Sequence, residues 1–122
     1  MLTLRDIQRL SGVHPDLVRV ITRSRKFAEF IITEGVRTRA RQKQLFTAGA
    51  SQTMASRHLT GHAVDLAALV AGGVRWDWPL YTALGAAVKR AATEEDVAIT
   101  WGGDWPKFRD GPHFELDRKR YP

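Results

Sequence analysis

One carboxylate, Asp65, stands inside the apolar run AVDLAAL at residues 63–69. In an extended segment successive side chains point to opposite faces, so Ala63, Asp65 and Ala67 share one face while His62, Val64 and Leu66 share the other. A carboxylate on a mostly apolar strand needs a partner. Any fold open to this chain must deliver one to the Asp65 face.

The remaining pattern supplies helices and further strands. Leu4, Ile7 and Leu10 fall at helical spacing over residues 3–10, and Ser11-Gly12 stops that segment. His14-Pro15-Asp16 starts a second helix, with Pro in the first turn and Leu17, Val18 and Ile21 as its apolar stripe, running to about Arg25. Residues 27–33 are rich in Phe and Ile and read as a largely buried strand, closed by Glu34-Gly35. Thr38 is an N-cap for a helix that Gly49 ends, and a polar loop covers 50–57. Residues 71–79 read as a loop, 80–92 as the third long helix, 97–101 as a strand, 102–111 as a turn-rich loop and 113–116 as a last short strand. Strands interspersed with helices but lacking a βαβ rhythm predict an α+β fold with a small antiparallel sheet and about three main helices. No repeat, linker or low-complexity tract divides residues 1–122, so a single domain is expected.

Composition narrows the chemistry. A chain of 122 residues can bury a core without staples, and it has no Cys. Thiolate zinc sites, thiol nucleophiles and redox pairs are therefore excluded, and any metal must be held by His nitrogen and carboxylate oxygen. The formal charge of +6 comes from short, scattered clusters: Arg23, Arg25 and Lys26; Arg37, Arg39, Arg41 and Lys43; Arg118, Lys119 and Arg120. No zinc-finger spacing, heptad array or RNA-binding aromatic motif accompanies them, so attraction to a polyanionic surface is expected and specific nucleic-acid binding is not. The N-terminus carries Arg5, Asp6 and Arg9 within its apolar pattern, unlike a signal peptide or membrane span.

His58, Asp65 and His113 are the candidate metal ligands. Two imidazoles and one carboxylate satisfy a catalytic zinc site that keeps one position open. Gly61 supplies a turn between His58 and Asp65, and His113 arrives on the last strand. The seven-residue step from His58 to Asp65 is no local clamp, and each His taken singly reads first as a surface or core histidine.

The stretch Ser56-Arg57-His58-Leu59-Thr60-Gly61-His62-Ala63-Val64-Asp65 matches the pattern SxHxxGxAxD, and Asp110-Gly111-Pro112-His113 follows in the matching order. Together they resemble the zinc peptidase family of D-alanyl-D-alanine carboxypeptidases and dipeptidases and phage L-alanyl-D-glutamate endopeptidases, over most of the chain from about Leu10 to Leu116. The resemblance implies that His58, Asp65 and His113 bind Zn2+ and that Asp110 is the general base toward metal-bound water. It further implies that Arg37 contacts the substrate or polarises the scissile carbonyl, and that Ser56 borders the substrate cleft. The carboxypeptidase branch usually has Glu where this chain has Asp110, which favours the phage endopeptidase branch.

That branch implies an endolysin acting on the peptidoglycan stem peptide. It would be a monomer without stable membrane insertion, held in the host cytoplasm and reaching the wall through the periplasm once a holin opens the inner membrane. The alternatives are a D-alanyl-D-alanine carboxypeptidase or dipeptidase, a non-catalytic wall-binding domain and a basic nucleic-acid-binding domain. Among other conspicuous residues, His62 reads as packed or as a support to a ligand, and His14 as part of a helix start. Trp101, Trp105 and Phe108 wall a cleft or fill the core, Glu115 fixes an imidazole or faces solvent, and Arg39, Arg41 and Lys43 form a solvated helix face.

Overall fold

The computed structural model describes residues 2–51 and 53–122; Gln52, within the expected loop at 50–57, lies outside the described residues. Thr3 and Asp6 exchange hydrogen bonds of 3.1 Å in a capping box that opens helix α1, Leu4–Arg9. The helix forms where the spacing predicts, yet Leu4 and Ile7 face solvent and Asp6 is the residue it buries. Helix α2, Pro15–Ser24, starts as expected: His14 Nδ1 accepts from the Asp16 N–H at 3.0 Å, with Pro15 in the first turn. Strand β1, Phe30–Glu34, begins three residues later than predicted. Residues 26 and 27 continue the turn that ends α2, and the Phe27 ring lies under Arg90 at 4.1 Å.

Helix α3, Arg39–Thr47, is capped by Thr38. Strand β2, Ala63–Val70, turns directly into β3, Gly73–Arg75, a pairing within the stretch 71–79 where the sequence predicts a loop. Ala71 and Gly72 both adopt positive φ, 52° and 80°, the backbone of a tight two-residue hairpin. Helix α4, Trp78–Glu95, is longer than expected at both ends, because Asp77 takes the cap position and Pro79 fits the first turn. Strands β4, Ile99–Trp101, and β5, His113–Leu116, complete the chain. Among the described residues three of the four α-helices are the main ones, and all strand pairs in the five-stranded sheet are antiparallel, so the α+β architecture is as predicted.

The sheet runs β1-β2-β5-β4, with β3 paired to the far half of β2. Asp65 pairs with β1 and β5, and Ala68 with β1 and β3, so β5 and β3 lie in line along the β2 edge opposite β1. Side-chain parity then divides the molecule. Phe30, Ile32, Val64, Leu66, Phe114 and Leu116 form a core with Leu17, Val20 and Ile21 of α2 and Leu84, Val88 and Ala91 of α4. Asp65, His113 and Glu115 take the opposite parity and are brought together on the other face. No helix among the described residues is long and apolar enough to cross a membrane.

Candidate metal centre and active-site cleft

His58 comes from a short 3-10 helix, Arg57–Thr60, rather than from a strand. Ser56 caps this turn by accepting from the His58 N–H at 3.2 Å, and Gly61 ends it at φ 77°. A side chain at Gly61 would stand 2.4 Å from the Gly12 carbonyl oxygen, so only glycine lets the turn pack there. Asp65 follows on β2, and His113 opens β5 directly across from it.

The ligating atoms of His58, Asp65 and His113 all lie within 4.8 Å of one another. His58 Nε2 is 3.2 Å and His113 Nδ1 3.4 Å from Asp65 Oδ1. The opposite ring nitrogens are committed elsewhere. His58 Nδ1 donates to the Gly35 carbonyl oxygen at 2.8 Å, and His113 Nε2 donates to Glu115 Oε1 at 2.8 Å. Those bonds turn the inner nitrogens toward Asp65 as lone pairs in the neutral rings, so three acceptors converge on one point. Such a cluster requires a cation or shared protons, and its nitrogen and oxygen donors with no thiolate suit zinc.

Electrostatics follow the same logic. Burial opposes ionisation of Asp65, but the His113 and His58 rings hold its carboxyl well below the usual carboxylate range. Burial disfavours the His113 cation, yet Asp65 and Glu115 push that imidazole up to about 9. Glu115 is itself buried and held low by its hydrogen bonds from His113 and Arg118, against the opposing effect of burial. The structure thus selects the imidazole-fixing reading of Glu115 over the solvent one.

A cleft of about 580 Å³ opens over this cluster. Arg37, Ser56, Trp105, Phe108 and Asp110 line it with the three candidate ligands, so every site residue expected from sequence meets in one place. Asp110 is set by the neck of the 102–110 loop, where its N–H donates to the Gly102 carbonyl at 3.0 Å. A side chain at Gly102 would come within 2.4 Å of the Asp110 carbonyl oxygen. Burial, together with the Asp65 charge, raises the Asp110 carboxyl above its ordinary value. Trp105 packs beside His113 at 4.9 Å between ring centroids, whereas Trp101 belongs to the core and donates from Nε1 to the Gly111 carbonyl.

Arg37 is more heavily engaged than the sequence suggests. Glu34 takes it in a fork, Nε to Oε1 at 2.8 Å and Nη2 to Oε2 at 2.7 Å, while Nη1 donates to Gln42 Oε1 at 2.7 Å. Its Nη2 also stands 3.6 Å from Asp65 Oδ2, and its backbone N–H donates to the His58 carbonyl. Sequence reasoning missed both Glu34 and Gln42. The register of β1 against β2 shifts between Ile32 and Glu34, so Glu34 pairs with Asp65 through a bulge that breaks simple alternation. Gln42 is fully buried in a helix otherwise rich in exposed polar residues, and its Nε2 donates to Ser51 and Thr53. His62 bonds to Thr60 Oγ1 and packs beside His14, outside the ligand set.

A family model described as phage L-alanyl-D-glutamate peptidase matches residues 1–121. The chain belongs to this family. It is 31% identical over 120 residues to the L-alanyl-D-glutamate peptidase of Escherichia phage T5, covering 93% of this chain and 87% of that protein. The L-alanyl-D-glutamate peptidase of Listeria phage A118 is 39% identical over 93 residues, 76% of this chain; the match spans about a third of the phage protein's length (32%). Among solved structures, the Serratia marcescens L-Ala D-Glu endopeptidase ChiX superposes with a TM-score of 0.93 at 49% identity, covering 99% of this chain and 92% of that one. The phage peptidase branch, expected because Asp110 stands where the carboxypeptidase branch usually has Glu, is thereby the one to which the chain belongs.

Proposed function

We propose that this protein is a zinc-dependent peptidoglycan hydrolase that cuts between L-alanine and D-glutamate in the stem peptide, as a phage or prophage endolysin. The observation that carries the reading is the His58, Asp65 and His113 cluster, whose outer ring nitrogens are tied off and whose inner donors converge at the floor of the cleft. Family membership and the similarity to ChiX support the choice of bond. When bound by these three residues, zinc supplies Lewis acidity for polarising oxygen atoms.

The chain's own groups divide the remaining work. Asp110 lines the cleft beside the ligands and takes the proton from the attacking water, then returns it to the departing amine. Arg37 shares the negative charge that develops on the scissile carbonyl oxygen, using N–H groups left over from Glu34 and Gln42. Ser56 holds the His58 turn by its cap and borders the substrate. Trp105 covers one side of His113 and limits water there. The enzyme works as a monomer that meets the wall after holin action, with its +6 charge drawing it to an anionic envelope.

Mass spectrometry of digested muropeptides tests the bond. New fragments with a free N-terminal D-glutamate are expected; loss of terminal D-alanine would move the assignment to a carboxypeptidase. Metal analysis of protein purified without added metal is expected to find about one zinc per chain, and another resident metal would revise the cofactor.

A further inference from the structure

Next to the cleft lies an aromatic surface that the hydrolytic chemistry does not use. Trp76, Trp78 and Phe108 are 60%, 45% and 69% exposed, a large apolar outlay for so small a protein. They are held in place rather than left loose. Trp76 stacks on Tyr81 at 5.9 Å and 11°, and Tyr81 is buried with its hydroxyl accepting from the Ala68 N–H. The Arg109 guanidinium sits over Trp78 at 4.3 Å while its Nε donates to the Gly103 carbonyl at 2.9 Å. Phe108 projects from a backbone at φ 54°, which a bulky residue rarely adopts. Phe108 and Arg109 also line the cleft, so the aromatic surface continues its wall outward.

We infer that this rim binds the glycan strand from which the stem peptide hangs, and so places the L-alanine end of the substrate toward Phe108 and Arg109. The inference rests on the L-alanine–D-glutamate reading. In peptidoglycan, L-alanine is joined directly to the lactyl group of an N-acetylated sugar, so the scissile bond lies one residue from the glycan. A cleft that accepts that bond must therefore have saccharide at one of its mouths. The C–H faces of hexosamine rings stack on indole and phenyl faces, and the Arg109 N–H groups not given to Gly103 can donate to hydroxyl or acetamido oxygens. Arg57, Glu115 and Arg118 line another part of the cleft, where Glu115 is buried and Arg118 is the exposed charge.

Two measurements on the full chain test this. Peptide-free glycan strands, which carry no scissile peptide, are expected to quench the tryptophan fluorescence of the wild-type protein saturably, and by isothermal titration calorimetry the double variant Trp76→Ala/Trp78→Ala should bind them about tenfold more weakly than the wild type. On cleavage, the same variant should raise KM about tenfold for glycan-attached muropeptides and leave kcat/KM for the glycan-free stem peptide unchanged. That second substrate doubles as a control for folding. Trp76→Tyr/Trp78→Tyr should restore most of the difference, since the stacking faces return. Equal losses on both substrates, or wild-type protein that ignores glycan strands, would overturn the rim; so would sedimentation showing that the tryptophans join two copies of the chain. If instead the wild type cleaves neither substrate at L-alanine–D-glutamate, the bond assignment fails, and glycan binding read by fluorescence still decides the rim.

Discussion

Asp6 and Asp65 are two carboxylates drawn into the same small protein for opposite ends. Asp6 Oδ1 accepts from the Ile32 N–H at 3.0 Å and Oδ2 from the Thr3 N–H at 3.1 Å. Arg9 donates to the Ile32 carbonyl at 2.8 Å, so α1 covers the outer edge of β1 with both an acceptor and a donor. Asp65 has side-chain partners instead: two imidazoles on one oxygen and Arg37 near the other. Backbone N–H groups have nothing else to offer, so Asp6 is locked into structure. Imidazole nitrogens can present a proton or a lone pair, and that freedom makes Asp65 and its two partners a group that could hold a metal ion.

The contrast can be broken most severely at Asp65. Asp65→Ala is expected to remove zinc and to lower muropeptide release on the order of a thousandfold or more, while the chain still folds, as judged by circular dichroism beside metal analysis. Full zinc occupancy in that variant would sink the ligand assignment. Asp110→Asn separates catalysis from binding: fold and zinc should persist while hydrolysis falls about a hundredfold or more. Lower zinc affinity would make Asp110 a ligand, and unchanged turnover would return it to an ordinary turn residue.

Arg37→Ala touches both catalysis and folding, because it strips Glu34 and Gln42 of their partner next to Asp65. Zinc should remain, turnover should fall about a hundredfold, and denaturant unfolding should show a loss of about 2–4 kcal/mol, moderated by the solvent contact Glu34 retains. Asp6→Asn is the mildest change and the sharpest control. It should cost about 1–2 kcal/mol at pH 7 with zinc content and activity unaltered. Burial works against the Asp6 charge, but the Ile32 and Thr3 N–H groups prevail and hold its carboxyl below its ordinary value. Its contribution is therefore complete above the unfolded-state pKa, near 4, and is lost as pH falls through the lower folded value. Melting curves of wild type and Asp6→Asn should accordingly converge in acid; a gap that widened there would contradict this account.

Much of this was legible in the chain itself. Alternation alone put Asp65 on one face of β2, and the ordered pair of motifs named His58, His113 and Asp110 before any distance was known. Helix starts at His14-Pro15 and Thr38 were written in side chains that act on neighbours two or three residues away. Where a residue's partner lies far along the chain, the same signals failed. The Leu4 and Ile7 spacing forecast the helix but not that its buried side chain would be Asp6, whose Oδ1 partner is 26 residues on. Trp101 could not be assigned between core and cleft until β4 and α4 were packed.

Local order, strand parity and the identity of the candidate metal donors thus belong to the sequence, because they depend on neighbours and on the chemistry of side chains. The bulge that sets Glu34 against Asp65, the burial of Gln42 beneath Arg37 and the tying of His58 to Gly35 belong to the tertiary structure. A polar side chain looks the same in sequence whether water or a distant partner will satisfy it, and only packing removes the water.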